Sequence, residues 1–440
     1  MQEFFQPKLT VAHGKYPEIQ IDMFQHKHHT VAYLLTHAHA DHMVGLVSLL
    51  SVNKVYCTPV TAKLLQTTMG ASNLFPIVFN KPFHIQLANN KHLQITFLPA
   101  HHCPGSAMIL IIGDNGTILC TGDFRSEKRI DSLSFAIDRL SIDSVYLDTT
   151  FAHPNWMNLP TRLESANALI EVIKTYSESV NVYLQSKTIG YEHLWVCLAR
   201  HFNTKIYVTA SRKIKYELMD QCKKADEEWL HECIVSQFLT TDEQEARFFV
   251  DMCPKAQLSK TKGCLLNIHP SAMFWGRGSD SDAISHHTYW KRVSGFKDFI
   301  VQDLRDSMSW RLLYSMHSSL SELIEFVAVL KPQRVYPTVT SSSNAMFFPK
   351  QIMKHFMLLN STETALQARR LKHKSVTTAD LDKSSPRPSE PICLALPCME
   401  SQTTVPDLKF GPNLDAIAHV RRSFLDLDNF QSKRLRCTRY

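Results

Sequence analysis

The chain has 440 residues and a net charge of +7 at pH 7, with an isoelectric point near 8.7. The length favours two or three structural units, and the 44% hydrophobic fraction is ordinary for a folded enzyme. No apolar run reaches the roughly 20 residues of a membrane helix, and MQEFFQPKLT lacks the pattern of a secretory signal. The 11 cysteines without paired spacing favour reduced thiols, and the charge is too mild to predict a polyanionic partner.

The predicted elements follow one another along the first 360 residues. Up to about residue 150, most are short strands: VAYLL, KVYCTP, LQITFLPA, AMILII, TILCTGD and SVYLDTT. A helix over 162–176, the strand VNVYLQ, a helix over 191–200, the strand TKIYVTA and a helix over 212–223 come next. From about Gly263 short strands return, before a helix over 318–330 and the strand RVYPTV. This alternation predicts an α/β architecture with parallel strand pairing.

The last segment, residues 360–440, has a different composition. LKHKSVTTADLDKSSPRPSEPI is polar and carries proline, so we expect this segment to be mostly disordered or loosely attached. Its basic run ARRLKHK (368–374) fits a nuclear-import patch or a nonspecific DNA contact, and equally a plain basic linker.

The first chemical motif is THAHADHMVGL, residues 36–46, directly after the predicted strand VAYLL. With 22 histidines in the chain, an isolated His-x-His pair carries little information. The full pattern of His37, His39, Asp41 and His42 at the end of a strand is much less expected by chance. It predicts a metal site on a loop that a rigid sheet presents.

Two later motifs follow strands in the same way. LPAHHCPGSAM contains His101 and His102, and TILCTGDFR contains Asp123. A histidine before Cys-Pro-Gly, or a Gly-Asp pair, is alone typical of a turn. In this order after three strands, however, they supply the imidazoles and carboxylates that a hydrolytic zinc site needs.

These motifs together resemble a known superfamily. HAHADH, a histidine before a glycine-containing loop, and TGD resemble the metallo-β-lactamase fold. PAHHCPGSAM, TGDFR, YLDTTF, IHPSAMFWG and YSMHSSLSELIEF resemble the Artemis/Apollo group of β-CASP DNA nucleases, closest to its Artemis-like members. The resemblance covers roughly residues 16–355. It implies an αββα sandwich of residues 1–151 and 263–359, a β-CASP α/β insertion at 152–262, and the tail 360–440.

The resemblance also implies a role for each ligand. The expected ligands of the first ion are His37, His39 and His102. The expected ligands of a second ion are Asp41 and His42, with Asp123 bridging both. Asp22, at the end of EIQID, would orient the first cluster from outside the ligand shell. We expect one or two Zn²⁺ ions, or Mg²⁺ or Mn²⁺ at the second position. A pair about 3.5–4 Å apart can stabilise the attacking and leaving oxygens of a phosphoryl displacement.

Further residues match family landmarks. Asp148 in YLDTTF and His317 in SMHSS join Asp41 and Asp123 as expected catalytic residues. A third landmark is histidine in RNA-processing members and valine in DNA-processing members. Here it is Val339, although a valine in an apolar strand is also ordinary core packing.

A small pocket for a terminal 5′-phosphate is expected at Ser315, His317 and His269. His269 replaces a lysine that is common in the family, and histidine is mostly neutral at pH 7. The sequence therefore leaves the dependence on a 5′-phosphate open.

Two other features have both a structural and a functional interpretation. Phe248 and Phe249 stand where relatives usually carry a histidine, and core packing is the favoured interpretation. The run SRKIKYE contains Arg212, Lys213 and Lys215, which suit either a DNA backbone contact or a solvated helix face.

The function predicted from the sequence is a metal-dependent DNA nuclease in the repair of double-strand breaks or interstrand cross-links. It would act as a 5′ exonuclease, as an endonuclease at hairpins or overhangs, or as both. We expect a nuclear monomer without membrane contact, with a repair partner at the tail. The alternatives are an RNA-processing β-CASP nuclease, a small-molecule hydrolase, and a catalytically weakened scaffold of the same fold.

Overall fold

The structure is a computed structural model, and it describes residues 15–24, 30–50, 53–87, 91–127, 140–222, 234–276 and 290–339. The tail 360–440, with its run ARRLKHK, lies outside the described residues. The described residues belong to one compact unit, Met1–Phe356. None of their helices has both the length and the apolar character needed to cross a bilayer.

The first sheet has four parallel strands in the order β1-β2-β3-β4. They are β1 (Ile19–Ile21), β2 (Ala32–Leu34), β3 (Val55–Cys57) and β4 (Leu74–Pro76). The run VAYLL forms β2 as predicted, and all three of its strand residues are buried. A parallel strand covered on both faces has this continuous apolar pattern.

Two helices cover one face of this sheet, α1 (Leu46–Leu50) and α2 (Pro59–Met69). α2 begins after Thr58, whose hydroxyl accepts the Thr61 N–H at 3.3 Å, and ends at Gly70 with a left-handed φ of 61°. The apolar side chains at this contact include Tyr33, Leu35, Leu46, Leu49, Val55, Ala62 and Leu65.

The second sheet has six strands in the order β18-β9-β8-β7-β6-β5. They are β5 (Phe83–Gln86), β6 (His92–Pro99), β7 (Ala107–Gly113), β8 (Gly116–Cys120), β9 (Ser144–Leu147) and β18 (Arg334–Pro337). Strands β5 to β8 are antiparallel, whereas β9 pairs in parallel with β8 and with β18. The two sheets bury a common core that includes Ile19, Ile21, Leu34, Ile95, Phe97, Ile109, Ile111 and Ile118.

A third sheet has eight strands in the order β12-β11-β13-β10-β14-β17-β16-β15. They are β10 (Asn181–Leu184), β11 (Lys205–Tyr207), β12 (Leu239–Thr240), β13 (Ala246–Phe249), β14 (Leu265–Pro270), β15 (Trp290–Lys291), β16 (Ile300–Asp303) and β17 (Ser309–Leu312). Its pairs are parallel from β12 to β17 and antiparallel at the β15 edge.

The remaining helices accompany this third sheet or follow it. They are α3 (Arg162–Lys174), α4 (Glu192–His201), α5 (Ala210–Asp220), α6 (Pro254–Thr261) and α7 (Leu320–Leu330). Short 3₁₀ turns occur at Ala40–His42, Pro154–Trp156, Val235–Phe238 and Met273–Gly276. The sequence places the four longer predicted helices correctly, and their bounds differ by a few residues. The predicted α/β class with a two-sheet sandwich and an inserted α/β lobe is confirmed.

The pairing of the strands can be compared with the predicted domain limits. Strands β14, β16 and β17 come after residue 262, yet they pair within the eight-stranded sheet. The chain returns to the six-stranded sheet only with α7 and β18. The limits remain a proposal, and strand pairing favours a return after Leu312 instead of at residue 263. Residues 152–312, without the undescribed ones, are called the inserted lobe below.

The two phenylalanines of β13 fill the core of the inserted lobe. Phe248 and Phe249 are both fully buried, and they point to opposite faces of the sheet. Phe248 packs with the core that contains Trp195, whereas Phe249 packs with Ala256 from α6. Both positions therefore have a packing role, which is the interpretation that the sequence favoured.

This packing gives the first testable prediction. Phe249→Ala should lower the free energy of unfolding by about 3–5 kcal/mol, because it removes a fully buried ring and leaves a cavity. The control Leu163→Ala, on an exposed face of α3, should change it by less than about 0.5 kcal/mol. Urea denaturation measures both, and equal effects of the two variants would contradict the packing role.

Candidate metal centre

The candidate ligands lie on loops that follow sandwich strands. His37 and His39 follow β2, and the 3₁₀ turn Ala40–His42 carries the next two. His102 follows β6, and Asp123 follows β8. These separate parts of the sequence meet, because the same end of each strand opens on one edge of the sandwich.

Three imidazoles converge at this edge. Nε2 of His37 lies 3.1 Å from Nδ1 of His39, and Nε2 of His102 lies 3.0 Å from the same atom. His37 and His102 are fully buried, and His39 is partly buried. Nitrogens bound to one zinc ion at about 2.1 Å in a tetrahedron are about 3.4 Å apart, so the observed spacing is close to that of a shared ion.

In each ring, one nitrogen faces away from the other two rings and is called the outer nitrogen. The hydrogen bond of this outer nitrogen fixes the tautomer of the ring. His39 Nε2 lies 3.1 Å from the Ile189 carbonyl oxygen, and His102 Nδ1 lies 3.0 Å from the Met316 carbonyl oxygen. A carbonyl oxygen only accepts hydrogen bonds, so both outer nitrogens carry the hydrogen. His37 Nδ1 donates at 3.0 Å to the Thr36 hydroxyl.

All three inner nitrogens therefore present lone pairs to one another. Lone pairs at this spacing repel unless a cation lies between them. Burial lowers the pKa of His37, His39 and His102, which keeps the rings neutral, as metal ligands must be. The donor set and its tautomers thus fit a divalent metal ion.

Asp123 links this group to the two remaining candidate ligands. Its Oδ2 lies 3.1 Å from His42 Nε2 and 3.7 Å from Nε2 of both His37 and His102. His42 Nε2 also lies 3.5 Å from Asp41 Oδ2. Asp41, His42 and Asp123 form a second group with metal-ligand spacing, and Asp123 Oδ2 lies near the first group as well. The structure therefore brings together all six predicted ligands.

Burial would lower the pKa of His42, but the carboxylates of Asp123 and Asp22 outweigh it and raise that pKa to about 10. Burial alone would raise the pKa of Asp123. The His42 ring outweighs this and lowers that pKa well below its ordinary value, so the carboxyl is ionised. A divalent cation can replace the proton that His42 Nε2 would otherwise hold between two carboxylates.

Asp22 lies behind the His42 ring, where it contacts His42 and Thr36. Its Oδ2 accepts the His42 Nδ1–H at 2.6 Å and the Thr36 hydroxyl at 2.6 Å, and its Oδ1 accepts the Thr36 N–H at 2.8 Å. Asp22 has φ of 53°, the left-handed region that aspartate tolerates. Thr36 was missed at the sequence level, although it begins the motif.

The buried Asp148 and the partly buried His317 form a pair beside the imidazoles. Asp148 Oδ2 accepts the His317 Nδ1–H at 2.8 Å, and the His317 ring centroid lies 4.7 Å from that of His102. The Asp148 carboxylate also accepts N–H groups from Phe124 and Thr150. Burial lowers the pKa of His317, but the Asp148 carboxylate raises it above its ordinary value.

Val339 lies beside this pair in the fold. The Thr149 hydroxyl donates to the Val339 carbonyl at 2.8 Å and accepts the Val339 N–H at 3.3 Å. The third family landmark is thus next to the residue that follows Asp148.

The predicted phosphate pocket is less well supported. The Ser315 hydroxyl donates to the His317 carbonyl at 2.7 Å and accepts the His317 N–H at 3.1 Å, so it shapes the His317 turn. His269 lies on β14, in register with Arg311 on β17. Burial and the Arg311 charge lower the pKa of His269, so its imidazole is neutral at pH 7.

The basic run on α5 is largely paired within the lobe. Arg212 Nε and Nη2 donate to the Asp251 carboxylate at 2.9 and 3.1 Å, and Lys213 Nζ lies 2.7 Å from Glu217 Oε1. These contacts favour the interpretation as a helix face over that of a DNA contact.

Arg125 is a further residue that the sequence did not reveal. Its guanidinium is fully buried and donates to the Glu322 carboxylate, to the Ser315 carbonyl at 3.2 Å and to the Pro160 carbonyl at 3.0 Å. It therefore ties the Asp123 loop to the His317 turn and to the start of the inserted lobe. The run Gly-Asp-Phe-Arg, which ends at Arg125, was the sequence signal for such a role. An arginine close to a buried aspartate needs a partner of its own.

Comparisons with known proteins agree with this architecture. The beta-lactamase superfamily domain matches residues 22–182, and the DNA repair metallo-beta-lactamase family matches residues 233–343. Protein artemis of Gallus gallus is 31% identical over 354 residues, which are 74% of this chain and 46% of that protein. Protein artemis of Homo sapiens is 29% identical over 371 residues, 78% of this chain and 50% of that protein.

A plant protein is also similar. The DNA cross-link repair protein SNM1 of Arabidopsis thaliana is 26% identical over 331 residues, 71% of this chain and 61% of that protein. The fold and the histidine cluster define the class as metallo-β-lactamase proteins. Residues 22–182 match the beta-lactamase superfamily domain and residues 233–343 match the DNA repair metallo-beta-lactamase family, which confirms the resemblance in the motifs. The chain spans about half the length of the artemis proteins that it matches.

The converging lone pairs give the second prediction. After treatment with a chelator, added Zn²⁺ should raise the thermal unfolding midpoint, because the ion binds the folded state alone. At about 1,000 times its dissociation constant the stabilisation is about 4 kcal/mol. His37→Ala combined with His102→Ala should abolish this shift, whereas His201→Ala at the exposed end of α4 should retain it. Calorimetry tests this, and a full shift in the double variant would refute the ligand assignment.

Proposed function

We propose that this protein is a metal-dependent DNA nuclease of the repair machinery, which hydrolyses phosphodiester bonds. One observation carries the proposal. Three neutral imidazoles and a shared carboxylate oxygen, Asp123 Oδ2, converge where strands of the sandwich end. The family that matches residues 233–343 is described as DNA repair metallo-beta-lactamase.

The geometry supports a proposed assignment of metal ligands. His37, His39 and His102 would hold the first ion, and Asp41 and His42 would hold a second. Asp123 Oδ2 would serve both, since it lies within 3.7 Å of the imidazole nitrogens of His37, His42 and His102. Nitrogen-rich and mixed nitrogen–oxygen groups suit Zn²⁺, and the carboxylates of the second group also suit Mg²⁺ or Mn²⁺. Bound divalent ions supply Lewis-acid stabilisation of the negative charge that develops on the phosphate.

The side chains around the ions orient and position the reacting groups. Asp22 and Thr36 fix the rings of His42 and His37. Asp148 takes the Nδ1–H of His317, so Nε2 of that ring is the atom left to contact a phosphate oxygen. Arg125 links the Asp123 loop to the His317 turn through the Ser315 carbonyl, so it would hold the candidate metal ligands and His317 in one arrangement.

The proposed substrate is DNA. The printed descriptions of the family and of the plant relative name DNA repair and DNA cross-link repair. Val339 beside Asp148 supports DNA over RNA, because the resemblance associates valine at this position with DNA-processing members. Nuclear localisation, a monomeric state and a repair partner at residues 360–440 belong to the same proposal.

An RNA-processing nuclease of the same fold is the second candidate. The scaffold alternative is less favoured, because the six candidate ligands keep metal-ligand spacing in the described residues.

The third prediction concerns the carboxylates. Asp41→Ala combined with Asp123→Ala should reduce DNA cleavage at least about a thousandfold, because residues that act as a unit fail together. DNA binding, measured by fluorescence anisotropy, should change little. The control Asp114→Ala removes an exposed aspartate of the β7–β8 turn and should cleave as the wild type does. Wild-type rates in the double variant would exclude this centre.

The fourth prediction concerns the 5′ end. Cleavage of 5′-phosphorylated and 5′-hydroxyl DNA should differ by less than about tenfold, equivalent to about 1.4 kcal/mol, because His269 adds no fixed charge. His269→Lys should increase the preference for the 5′-phosphate. Product lengths from these two substrates, hairpin DNA and matched RNA are read on a gel. Faster cleavage of RNA, or strict dependence on a 5′-phosphate in the wild type, would contradict the prediction.

A further inference from the structure

The inserted lobe reaches the candidate metal ligands through the turn Ile189–Gly190. The Ile189 carbonyl accepts the Nε2–H of His39 at 3.1 Å, although the two residues are far apart in the sequence. This bond sets the tautomer that turns His39 Nδ1 toward His37 and His102. A candidate ligand in the sandwich thus depends on backbone from the inserted lobe.

Two hydrogen bonds hold this turn in place. The Gly190 N–H donates to Glu192 Oε2 at 2.7 Å, and the Gly190 carbonyl accepts the Tyr314 hydroxyl at 3.4 Å. Gly190 has φ of 116°, which side-chain-bearing residues rarely adopt, and a Cβ there would collide with Met316 Sδ. Met316 in turn presents its own carbonyl to His102.

Glu192 is the buried anchor of the turn. Its side chain is fully buried at the start of α4, where its second oxygen accepts the Tyr216 hydroxyl at 2.5 Å. A buried carboxyl without a structural partner is costly, and both of its oxygens are engaged here. The two partners of Glu192 have different neighbours. Gly190 belongs to the turn that contacts the candidate ligand His39, whereas Tyr216 belongs to α5.

A further contact holds the same loop on the other side of Ile189. Arg212 Nη1 donates to the Lys187 carbonyl at 2.7 Å, while the rest of its guanidinium pairs with Asp251. The loop between β10 and α4 is therefore fixed before and after Ile189. Backbone carbonyls that orient a metal-bound imidazole act on metal affinity through the geometry they impose.

We infer that Glu192 is a positioning residue of the metal centre, which holds the Ile189–Gly190 turn so that the Ile189 carbonyl orients His39. This inference rests on the proposed metal site. It adds that the inserted lobe contributes to metal affinity as well as to any contact with substrate. Glu192 touches neither ion nor substrate and acts only through the turn.

The test compares Zn²⁺ affinity in full-length variants by competition with a chromophoric chelator. Glu192→Ala should weaken binding about tenfold or more, within the range for residues that support metal ligands. Glu192→Gln keeps an oxygen for the Gly190 N–H and should stay within about threefold of the wild type. The control Tyr216→Phe removes the other partner of Glu192 and should leave the affinity unchanged.

A spectroscopic readout separates positioning from loss of stability. With Co²⁺ in place of Zn²⁺, the visible absorption bands of Glu192→Ala should shift, because a reoriented His39 alters the ligand field. The bands of Tyr216→Phe should match the wild type even if that variant is less stable.

The outcomes are distinguishable. Wild-type affinity and spectrum in Glu192→Ala, or equal weakening in Tyr216→Phe, overturn the positioning role while the metal centre stands. If the wild type binds no Zn²⁺, or if His39→Ala binds it undiminished, the metal centre itself fails and the inference fails with it.

Discussion

The structure depends on one electrostatic constraint, the lone pairs of His37, His39 and His102 that face one another at about van der Waals distance. Each ring is turned this way because its outer nitrogen donates to an oxygen that is itself fixed. A cation relieves the repulsion that the surrounding hydrogen bonds enforce. The acceptors come from the sandwich, the inserted lobe and the His317 turn, so the whole fold takes part in choosing the tautomers.

The sequence predicts the convergence of these side chains for a simple physical reason. A strand places the residues after it at the sheet edge, and short apolar runs before His37, His102 and Asp123 mark three such ends. The metal preference of imidazole and carboxylate then identifies the chemistry. The roles of these residues remain proposals, whereas their convergence is a property of the structure.

Other features were beyond reach of the sequence because they depend on tertiary contacts of the backbone or of side chains without a motif. The acceptors Ile189 and Met316 act through carbonyls, which every residue has. Arg125 is a buried charge whose partners lie on other segments, and the buried carboxyl of Glu192 binds Gly190 nearby and Tyr216 on α5. The return point of the chain is a further case, because short strands have similar sequence patterns, and pairing places β14 to β17 in the third sheet. The return point itself remains a proposal.

The hydrogen bond from His39 to Ile189 has a mechanical consequence. Any movement that separated the inserted lobe from the sandwich would stretch this bond and free the ring to rotate. By thermodynamic reciprocity, an ion that prefers the oriented ring must favour the closed arrangement by the same free energy. Cation occupancy and the separation of the inserted lobe from the sandwich are therefore energetically coupled variables.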